Sequence, residues 1–530
     1  MAHLKHRIPV RLRQNWKLVA TCAAFLAICA GVFGSGTIRP YVTTVRTASA
    51  ETATRNLTGT VDLFDTSVPH EVTVTFRDEA YQDMLNEYFK DGEKKYVEAD
   101  VTIDGTTIPS VGVRLKGNST LSGLTWKGES RMGRRGGQAA DGQRPGGGMG
   151  GRFGASLKAE EPENLPWLIS FDEFVEGRRY QGHSQVAVRP AAMGSATLLN
   201  EALGIALVGA AGEPTQRFAY SAFTVNGRSS TPRLLVEYLD EGYAAGLGDG
   251  VLYKSLAGST FAYKGEDQTE YTADFKQINK RGERDLQPLI DLVRWVEESS
   301  DEEFASGLAE RLDVEAFGRY LALQNIMVNF DDMSGPGRNY YMWYDLGTKR
   351  LRVISWDLNL AFSGDATVGV NDTVGMGFGR GGARPDGQRP DGRAGQQGQP
   401  PQGFEPPEGF QPPGGAGPGG GDPDGGGPGG GGPGGGGPDG PGGPRTGHAL
   451  KERFLKTPAF KKIYEEQYRA LFQKLLAGGT ASTLLDGIVN SYKLNARADA
   501  TAIDAEAASL RTMLRTRTET LRSDKAIAGT

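Results

Sequence analysis

Cysteine is nearly absent from this sequence, and its scarcity limits what can hold the chain together. The 530 residues include two cysteines, Cys22 and Cys29. Both fall inside one uncharged stretch, residues 18–38, so the rest of the chain carries no thiol. Disulfide bonds therefore cannot stabilise the remainder, which must fold around a hydrophobic core.

Histidine and an excess of positive charge are also lacking. Beyond the N-terminal stretch the histidines are His70, His183 and His448, which do not have the spacing of zinc ligands. The net charge is −5, with acidic and basic residues interspersed, so the chain has no basic field of the kind that nucleic-acid binders use. The sequence contains neither a Walker A motif nor a GxSxG nucleophile elbow. We therefore expect no nucleic-acid partner.

The N-terminus carries an uncharged stretch from Leu18 to Ile38 that is long enough to span a bilayer. Basic residues precede it, which predicts a cytoplasmic segment over 1–17, a transmembrane anchor or signal segment over 18–38 and a linker over 39–59. The large domain would then lie outside a cell membrane that the chain crosses once. The alternative is secretion after signal cleavage near Ala50, where "TASA" resembles a signal-peptidase site.

Glycine and proline, in contrast, are abundant, with 77 and 28 residues, and they are concentrated in two tracts. A Gly-rich insert lies at about 128–160, and a Gly/Pro-rich low-complexity insert occupies 373–447. Such compositions cannot bury enough apolar surface to fold, so we predict disordered insertions. Because patterned segments flank both tracts, they are interpreted as expanded loops within one domain, which comprises 60–372 and C-terminal helices over 448–525.

The pattern between the tracts mixes strands and helices. "HEVTVTF" alternates between apolar and polar residues, whereas "RDEAYQDMLNEYF" has helical spacing. A helix is also predicted over "SATLLNEALGIAL", a capping box at Ser300 and Glu303, and a helix from about Asp313. A hairpin follows, with strands "NYYMWY" and "LRVISW". These features predict an α+β fold class.

Acidic residues flank this hairpin where a strand pair would not need them. Asp331 and Asp332 precede it, Asn339 opens its first strand, and Asp357 follows its second strand within an apolar run. Burying a carboxylate is costly unless it is paired or bound to metal, so Asp357 is a candidate functional residue. Asp331 and Asp332 could instead cap a turn, and Asn339 could be a hydrogen-bonding residue at a strand end.

Several blocks of the sequence, in order, resemble the CotH family, the spore-coat-protein-H-like atypical protein kinases. These blocks are "LFD" at 63–65, "VGVRLKGNST" at 111–120, "LLVEYLDEGY" at 234–243, "NFDD", "NYYMWYD", "ISWDLNLAF" and "RFLKTPAFKKIYEEQY". The resemblance implies an atypical protein-kinase-like two-lobed fold, ATP with Mg²⁺ or Mn²⁺, and phosphoryl transfer to protein hydroxyls.

The order of the acidic residues agrees with that implication. In kinases a catalytic-loop Asp orients the attacking hydroxyl, an Asn a few residues later binds metal, and an Asp after the next strand pair holds metal against the phosphates. Here the corresponding order is Asp331 or Asp332 as the catalytic residue, then Asn339 and Asp357 as metal ligands. Hard oxygen ligands suit Mg²⁺ or Mn²⁺ better than zinc.

The sequence departs from the family pattern at three points. "SGPG" lengthens the Asp-to-Asn spacing, and Asn359 stands where the family's usual "WDLD" has its second acid. The family commonly has lysines in the strand that corresponds to "PWLISF", where this chain has Leu168 and Ser170.

A phosphate-pairing cation must therefore come from elsewhere in the chain. The candidates are Lys116, Arg114 and Lys254, with Glu201 or Glu237 as the ion-pair partner. The sequence does not decide among these residues, and a catalytically inactive pseudokinase stays an alternative.

Three functions are compatible with these residues. The first is an exported, membrane-anchored phosphotransferase, an atypical protein kinase acting on a protein substrate at the cell surface or envelope. The second is a degenerate kinase-like protein with a structural or interaction role at the surface, favoured by the missing lysines and by Asn359. The third is a metal-dependent ligand-binding module without catalysis.

Overall fold

The computed structural model describes residues 55–118, 120–131, 157–190, 195–375 and 447–529. The predicted anchor, most of the first insert and most of the Gly/Pro-rich insert lie outside these ranges. All the elements described below belong to the unit formed by Ala53–Asn279 and Arg284–Thr530. Within the described ranges, no helix has both the length and the apolarity needed to cross a membrane.

Seven strands form a closed barrel in the order β10-β11-β9-β7-β4-β3-β2. The barrel closes where β2 pairs in parallel with β10, and the other neighbours pair antiparallel. Alternation places Val72, Val74 and Phe76 of β2 in the core, as the sequence predicted. The barrel strands are β2 (His70–Phe76), β3 (Val97–Ile103), β4 (Thr106–Leu115), β7 (Trp167–Ser170), β9 (Gln185–Arg189), β10 (Phe218–Val225) and β11 (Thr231–Glu237).

A separate antiparallel sheet has the order β13-β12-β14-β15 and carries the predicted hairpin. In the hairpin, Met342 faces Val353 and Tyr341 faces Ile354. The strands are β12 (Gly250–Ser255), β13 (Phe275–Gln277), β14 (Tyr340–Asp345) and β15 (Leu351–Ser355). Two small pairs complete the strand set, namely β1 (Arg55–Leu57) with β8 (Arg178–Tyr180) and β5 (Thr125–Trp126) with β6 (Glu129–Ser130).

One hydrophobic core lies among the barrel strands, and the helices supply most of another. They are α1 (Asp78–Lys90), α2 (Leu199–Ala210), α3 (Glu241–Leu247), α4 (Gln287–Glu298), α5 (Asp301–Gly307), α6 (Val314–Ile326), α7 (Ala449–Lys456), α8 (Pro458–Leu471), α9 (Thr480–Lys493), α10 (Ala500–Arg522) and α11 (Lys525–Ala528). The predicted capping box is confirmed, since Ser300 and Glu303 cap α5 reciprocally. Asp313 caps α6 through the backbone N–H of Ala316.

One predicted boundary differs from the structure. The helix expected over "SATLLNEALGIAL" begins at Leu199, because Leu198 adopts a left-handed backbone with φ +57°. The Ser195 hydroxyl, which bonds to Glu506, accepts a hydrogen bond from the Leu198 backbone N–H at 2.7 Å. These contacts hold the residues before α2 outside the helix.

Residues on both sides of the Gly/Pro-rich insert contribute to the same core. Helix α6 packs along α8, and the buried cluster around them includes Phe317, Leu321 and Tyr468. Arg517 of α10 is fully buried and donates to the backbone carbonyls of Ala366 and Val368, just before the insert. The mixed content of helix and sheet confirms the predicted α+β class, whereas the two-lobed kinase-like architecture stays a prediction.

Candidate active site

The loop after α6 places Asp331 in a polar cage. The backbone N–H of Gly337 donates to Asp331 Oδ1 at 2.6 Å, and the Asn339 amide donates to Asp331 Oδ2 at 2.9 Å. The same amide donates to the Asp331 carbonyl oxygen at 3.2 Å. Only 8% of Asp331 is exposed, so its carboxylate is held in a single orientation.

These contacts also fix the orientation of the Asn339 side chain. Its Nδ2 faces two oxygens of Asp331, and the reversed amide would set oxygen against oxygen. In the ranges that the structure describes, Asn339 Oδ1 accepts no hydrogen bond from the protein. That oxygen is therefore available to a cation.

The extra residues "SGPG" wrap around Asp331. A Cβ atom on Gly335 would lie 2.5 Å from Asp331 Cα, and one on Gly337 would lie 2.6 Å from Asp331 Oδ2 and 2.7 Å from Asn339 Nδ2. Both positions thus require glycine because the backbone approaches the acid closely. The longer spacing between Asp331 and Asn339 is consequently used to enclose the carboxylate.

The sequence resemblance predicts phosphoryl transfer, and we expect the Gly337→Ala variant to lower that activity by about 10- to 100-fold, because the new methyl group displaces Asp331 and Asn339 together. The measurement is the turnover rate at saturating substrates, with the melting temperature as a check of folding. Gly487→Ala is the matched control, since a Cβ there meets nothing within 4 Å. Equal rates for the two variants would contradict the role given to this loop.

Asp332 points to a different partner. Its Oδ2 forms an ion pair with Lys451 of α7, and its Oδ1 accepts the Ser334 backbone N–H at 2.7 Å. The side chain is 7% exposed. Asp332 therefore ties the loop to the C-terminal helices, which leaves Asp331 as the better candidate for the catalytic role.

Asp357 lies just beyond β15 and takes part in a buried chain of charges. Arg189, the last residue of β9, binds Asp357 through one guanidinium nitrogen and donates from Nε to Glu201 Oε2 at 2.9 Å. The side chains of Arg189 and Glu201 are 9% and 2% exposed, while Asp357 is 24% exposed. A strand arginine thus bridges a helix glutamate to the acid that follows the hairpin.

Burial and charge shift the ionisation of these acids in opposite directions. Burial raises the pKa of Asp331 to about 6, and the charge of Asp357 adds to this effect. Burial acts to raise the pKa of Asp357 as well, but Arg189 and Lys116 outweigh it and lower that pKa below its ordinary value. Two carboxylates with separated pKa values are typical of functional sites.

Two of the predicted phosphate-binding residues, Lys116 and Lys254, lie near Asp357. Lys116 and Lys254 have their ammonium nitrogens 5.4 and 5.0 Å from the ring centre of Trp356, the residue before Asp357. The guanidinium carbon of Arg114 lies 5.1 Å from the ring centre of Tyr96. The charge of Arg114 helps to lower the pKa of Tyr238, whose ring also lies beside the Lys254 ammonium. Positive charge therefore gathers on one side of Asp357.

Glu237 does not pair with Lys254. Its Oε2 accepts the Arg217 backbone N–H at 2.9 Å, and its Oε1 lies 3.5 Å from His183 Nδ1. Burial raises the pKa of Glu237 to about 7. Of the two acids predicted as ion-pair partners, only Glu201 contacts a cation beside Asp357, and that cation is Arg189.

Arg189 was not among the predicted site residues. The available signal was an arginine at the end of the strand "QVAVR", with Glu201 twelve positions later on a helix. The usual lysine positions of the family fall in "PWLISF", which contains β7, and not in β9. In the structure, Leu168 of β7 is buried, with 1% exposure. The cation comes from the neighbouring strand, since β7 pairs with β9.

A comparison with known protein families matches residues 153–409 to the CotH kinase protein family. The resemblance to the CotH family is thus confirmed over residues 153–409. The matched range includes Arg189, Glu201, Asp331, Asn339 and Asp357, and it excludes the resembling blocks at 63–65 and 111–120 and the one in the C-terminal helices. No curated protein matched the chain.

The CotH family implies a divalent metal, and the oxygen donors here fit one. Mg²⁺ is usually held by one or two carboxylates together with substrate phosphates, so a complete protein cage is not required. Asp357 and the unengaged Oδ1 of Asn339 are suitable hard ligands. Among the described residues, Asp331, Asp332 and Asp357 do not converge closely enough to share an ion, whereas the half-buried Glu87 and the exposed Asp91 and Glu93 do.

Two surface clefts of about 500 and 350 Å³ lie apart from these residues. The larger is lined by Trp295 and Arg311 among others, and the smaller by Tyr81 and Arg228 among others. Neither cleft is lined by a candidate site residue. The candidate site is therefore defined by its charges and hydrogen bonds.

Proposed function

We propose that this protein, whose residues 153–409 match the CotH kinase protein family, is an ATP- and metal-dependent phosphotransferase that phosphorylates hydroxyl side chains of proteins. The observation that carries the proposal is the Glu201–Arg189–Asp357 chain of charges beside the enclosed Asp331. Kinases need a cation paired with a helix glutamate, a catalytic-loop Asp and a metal-binding Asp, and this arrangement offers each. We further propose that the barrel and the helical core correspond to the two lobes of a kinase.

Each residue then has one role. Asp331 orients the acceptor hydroxyl and accepts its proton. Asp357 and Asn339 Oδ1 would hold a divalent metal, which would neutralise charge on the transferring phosphoryl group. Arg189, kept in place by Glu201, contacts the phosphates together with Lys116 and Lys254. Asp332 and Lys451 keep the catalytic loop in position from behind.

The substrate is proposed to be a protein at the cell surface or envelope. The support is the uncharged stretch over 18–38 with basic residues before it, which favours an anchored chain with the large domain outside. Secretion after cleavage near Ala50 gives the same exposure without the anchor. Fractionation of tagged full-length protein, followed by protease treatment of intact cells, separates the two.

The test of the activity uses the full-length protein, Mg²⁺ or Mn²⁺, a generic protein acceptor, and ATP labelled at either the γ- or the α-phosphate. Phosphoryl transfer places γ-label on the acceptor, whereas adenylyl transfer would place α-label there. Absence of both labels, with no rise in melting temperature on adding ATP, would instead support a non-catalytic surface protein.

We expect transfer to decline below pH 6, because Asp331 accepts a proton only when ionised and burial sets its pKa at about 6. Protonation increases as the pH falls, so the rate should drop about tenfold for each pH unit below that value. The measurement is the pH profile of kcat/KM between pH 5 and 8.5. If the residual activity of Asp331→Asn showed the same acid limb, the proton acceptor would be another residue.

A further inference from the structure

Within the residues that the structure describes, four basic side chains beside the candidate site form no ion pair with a carboxylate. We call Lys94, Arg114, Lys116 and Lys254 the cation cluster. Lys94 donates to Asn118 at 2.6 Å, Arg114 to the Leu115 carbonyl at 3.1 Å, and Lys254 to the Tyr238 hydroxyl at 3.2 Å. Within the described parts of the chain none of the four forms an ion pair, whereas Arg189 contacts two carboxylates. The charge of Asp357 acts on Lys116 and Lys254, but Asp357 is already paired with Arg189, so positive charge is in excess in this cluster.

Aromatic rings hold the cluster in place. The Lys254 ammonium lies 5.3 Å from the ring centre of Tyr238, 5.4 Å from that of Tyr341 and 5.0 Å from that of Trp356. The ammonium of Lys116 lies over the same Trp356 ring. The Tyr341 hydroxyl is buried without a hydrogen-bond partner in the described structure. Cation–π contacts thus fix the positions of the cations without neutralising them.

Burial and mutual repulsion make the cluster electrostatically costly. Burial, and then repulsion from neighbouring cations, lower the pKa values of Lys94 and Lys116 to about 8. Burial should raise the pKa of Tyr238, but Lys254 and Lys116 lower it to about 8. Like charges kept this close favour binding of an anion with several negative charges.

We propose that the cation cluster selects the phosphoryl donor by its phosphate chain and not by its base. This inference rests on the proposed function, which makes the donor a triphosphate. Charge attraction supplies most of the binding free energy in such a site, and a base contributes little to it. Any chain of three phosphates, with or without a nucleoside, is then a ligand of this site.

Binding to the full-length protein is measured by calorimetry with ATP, GTP, inorganic tripolyphosphate and adenosine. We expect the dissociation constants of the three phosphate compounds to agree within about threefold, and adenosine not to bind. Lys254→Met, which retains an apolar stem among the rings, and Lys116→Met should each weaken binding of tripolyphosphate at least tenfold. Lys462→Met is the control, because Lys462 is 75% exposed on α8 and pairs with Glu466.

The alternative outcomes are distinct. ATP binding more than thirtyfold tighter than tripolyphosphate would overturn the inference, because the base would then contribute to selection. Unchanged tripolyphosphate binding by the Lys116→Met/Lys254→Met double variant would overturn it as well. Tight, base-independent binding without any label transfer would support the inference while refuting the proposed function.

Discussion

Asp357→Asn should abolish measurable phosphoryl transfer, with a loss on the order of 1000-fold or more. The asparagine has nearly the same shape, but it lacks the negative charge that holds the metal and balances Arg189. The loss should appear mainly in kcat, because the cation cluster remains available to bind the donor. Rates with γ-labelled ATP at several metal concentrations measure it.

The matched control for this variant is Asp345→Asn on the same hairpin. Asp345 caps the turn through the backbone N–H of Thr348 and lies outside the site. We expect its rate to stay within about twofold of wild type. If Asp357→Asn retained a tenth of the wild-type activity, Asp357 would not be the main metal ligand.

Replacing Arg189 with methionine should impair both activity and stability. Glu201 and Asp357 would then share a buried region without their cation, and removal of one partner from a buried ion pair costs about 3–5 kcal/mol. Because Asp357 is 24% exposed, the lower part of that range is expected. Transfer should fall by at least about 100-fold, since a phosphate-contacting cation is lost.

The stability loss should depend on pH in a defined direction. Burial already raises the pKa of Glu201, and without Arg189 this effect is opposed less, so the folded state binds a proton at Glu201 more tightly than the unfolded chain does. Stability is then retained at low pH and lost as the pH rises through the folded-state values. Urea unfolding of Arg189→Met at pH 5 and pH 8 should show the larger deficit at pH 8.

A double variant separates the two roles of Arg189. Adding Glu201→Gln to Arg189→Met removes one of the unpaired carboxylates, and should recover part of the stability without restoring transfer. Arg189→Lys keeps one charge and should retain intermediate activity. Full recovery of transfer in the double variant would show that Arg189 only neutralises Glu201.

Local features of this chain were predictable because their causes lie within a few residues. The alternation of apolar and polar residues predicts β2. The capping box of Ser300 and Glu303 marks the start of α5, and the capping residue Asp313 marks the start of α6. The same locality put Asp331 in a loop and Asp357 after a strand. Local sequence could not show which of Asp331 and Asp332 is the better catalytic candidate, because the difference depends on the ion pair between Asp332 and Lys451, more than one hundred positions away.

The amino-acid sequence by itself determined the α+β class, the order of Asp331, Asp332, Asn339 and Asp357 around the hairpin, and the resemblance to the CotH family. Only the tertiary structure decided which cation serves Asp357. Arg189 and Asp357 are 168 positions apart and meet where the end of β9 lies beside the end of the hairpin. Contacts between such distant side chains depend on how the barrel closes and the helices pack, which residue spacing along the chain does not encode.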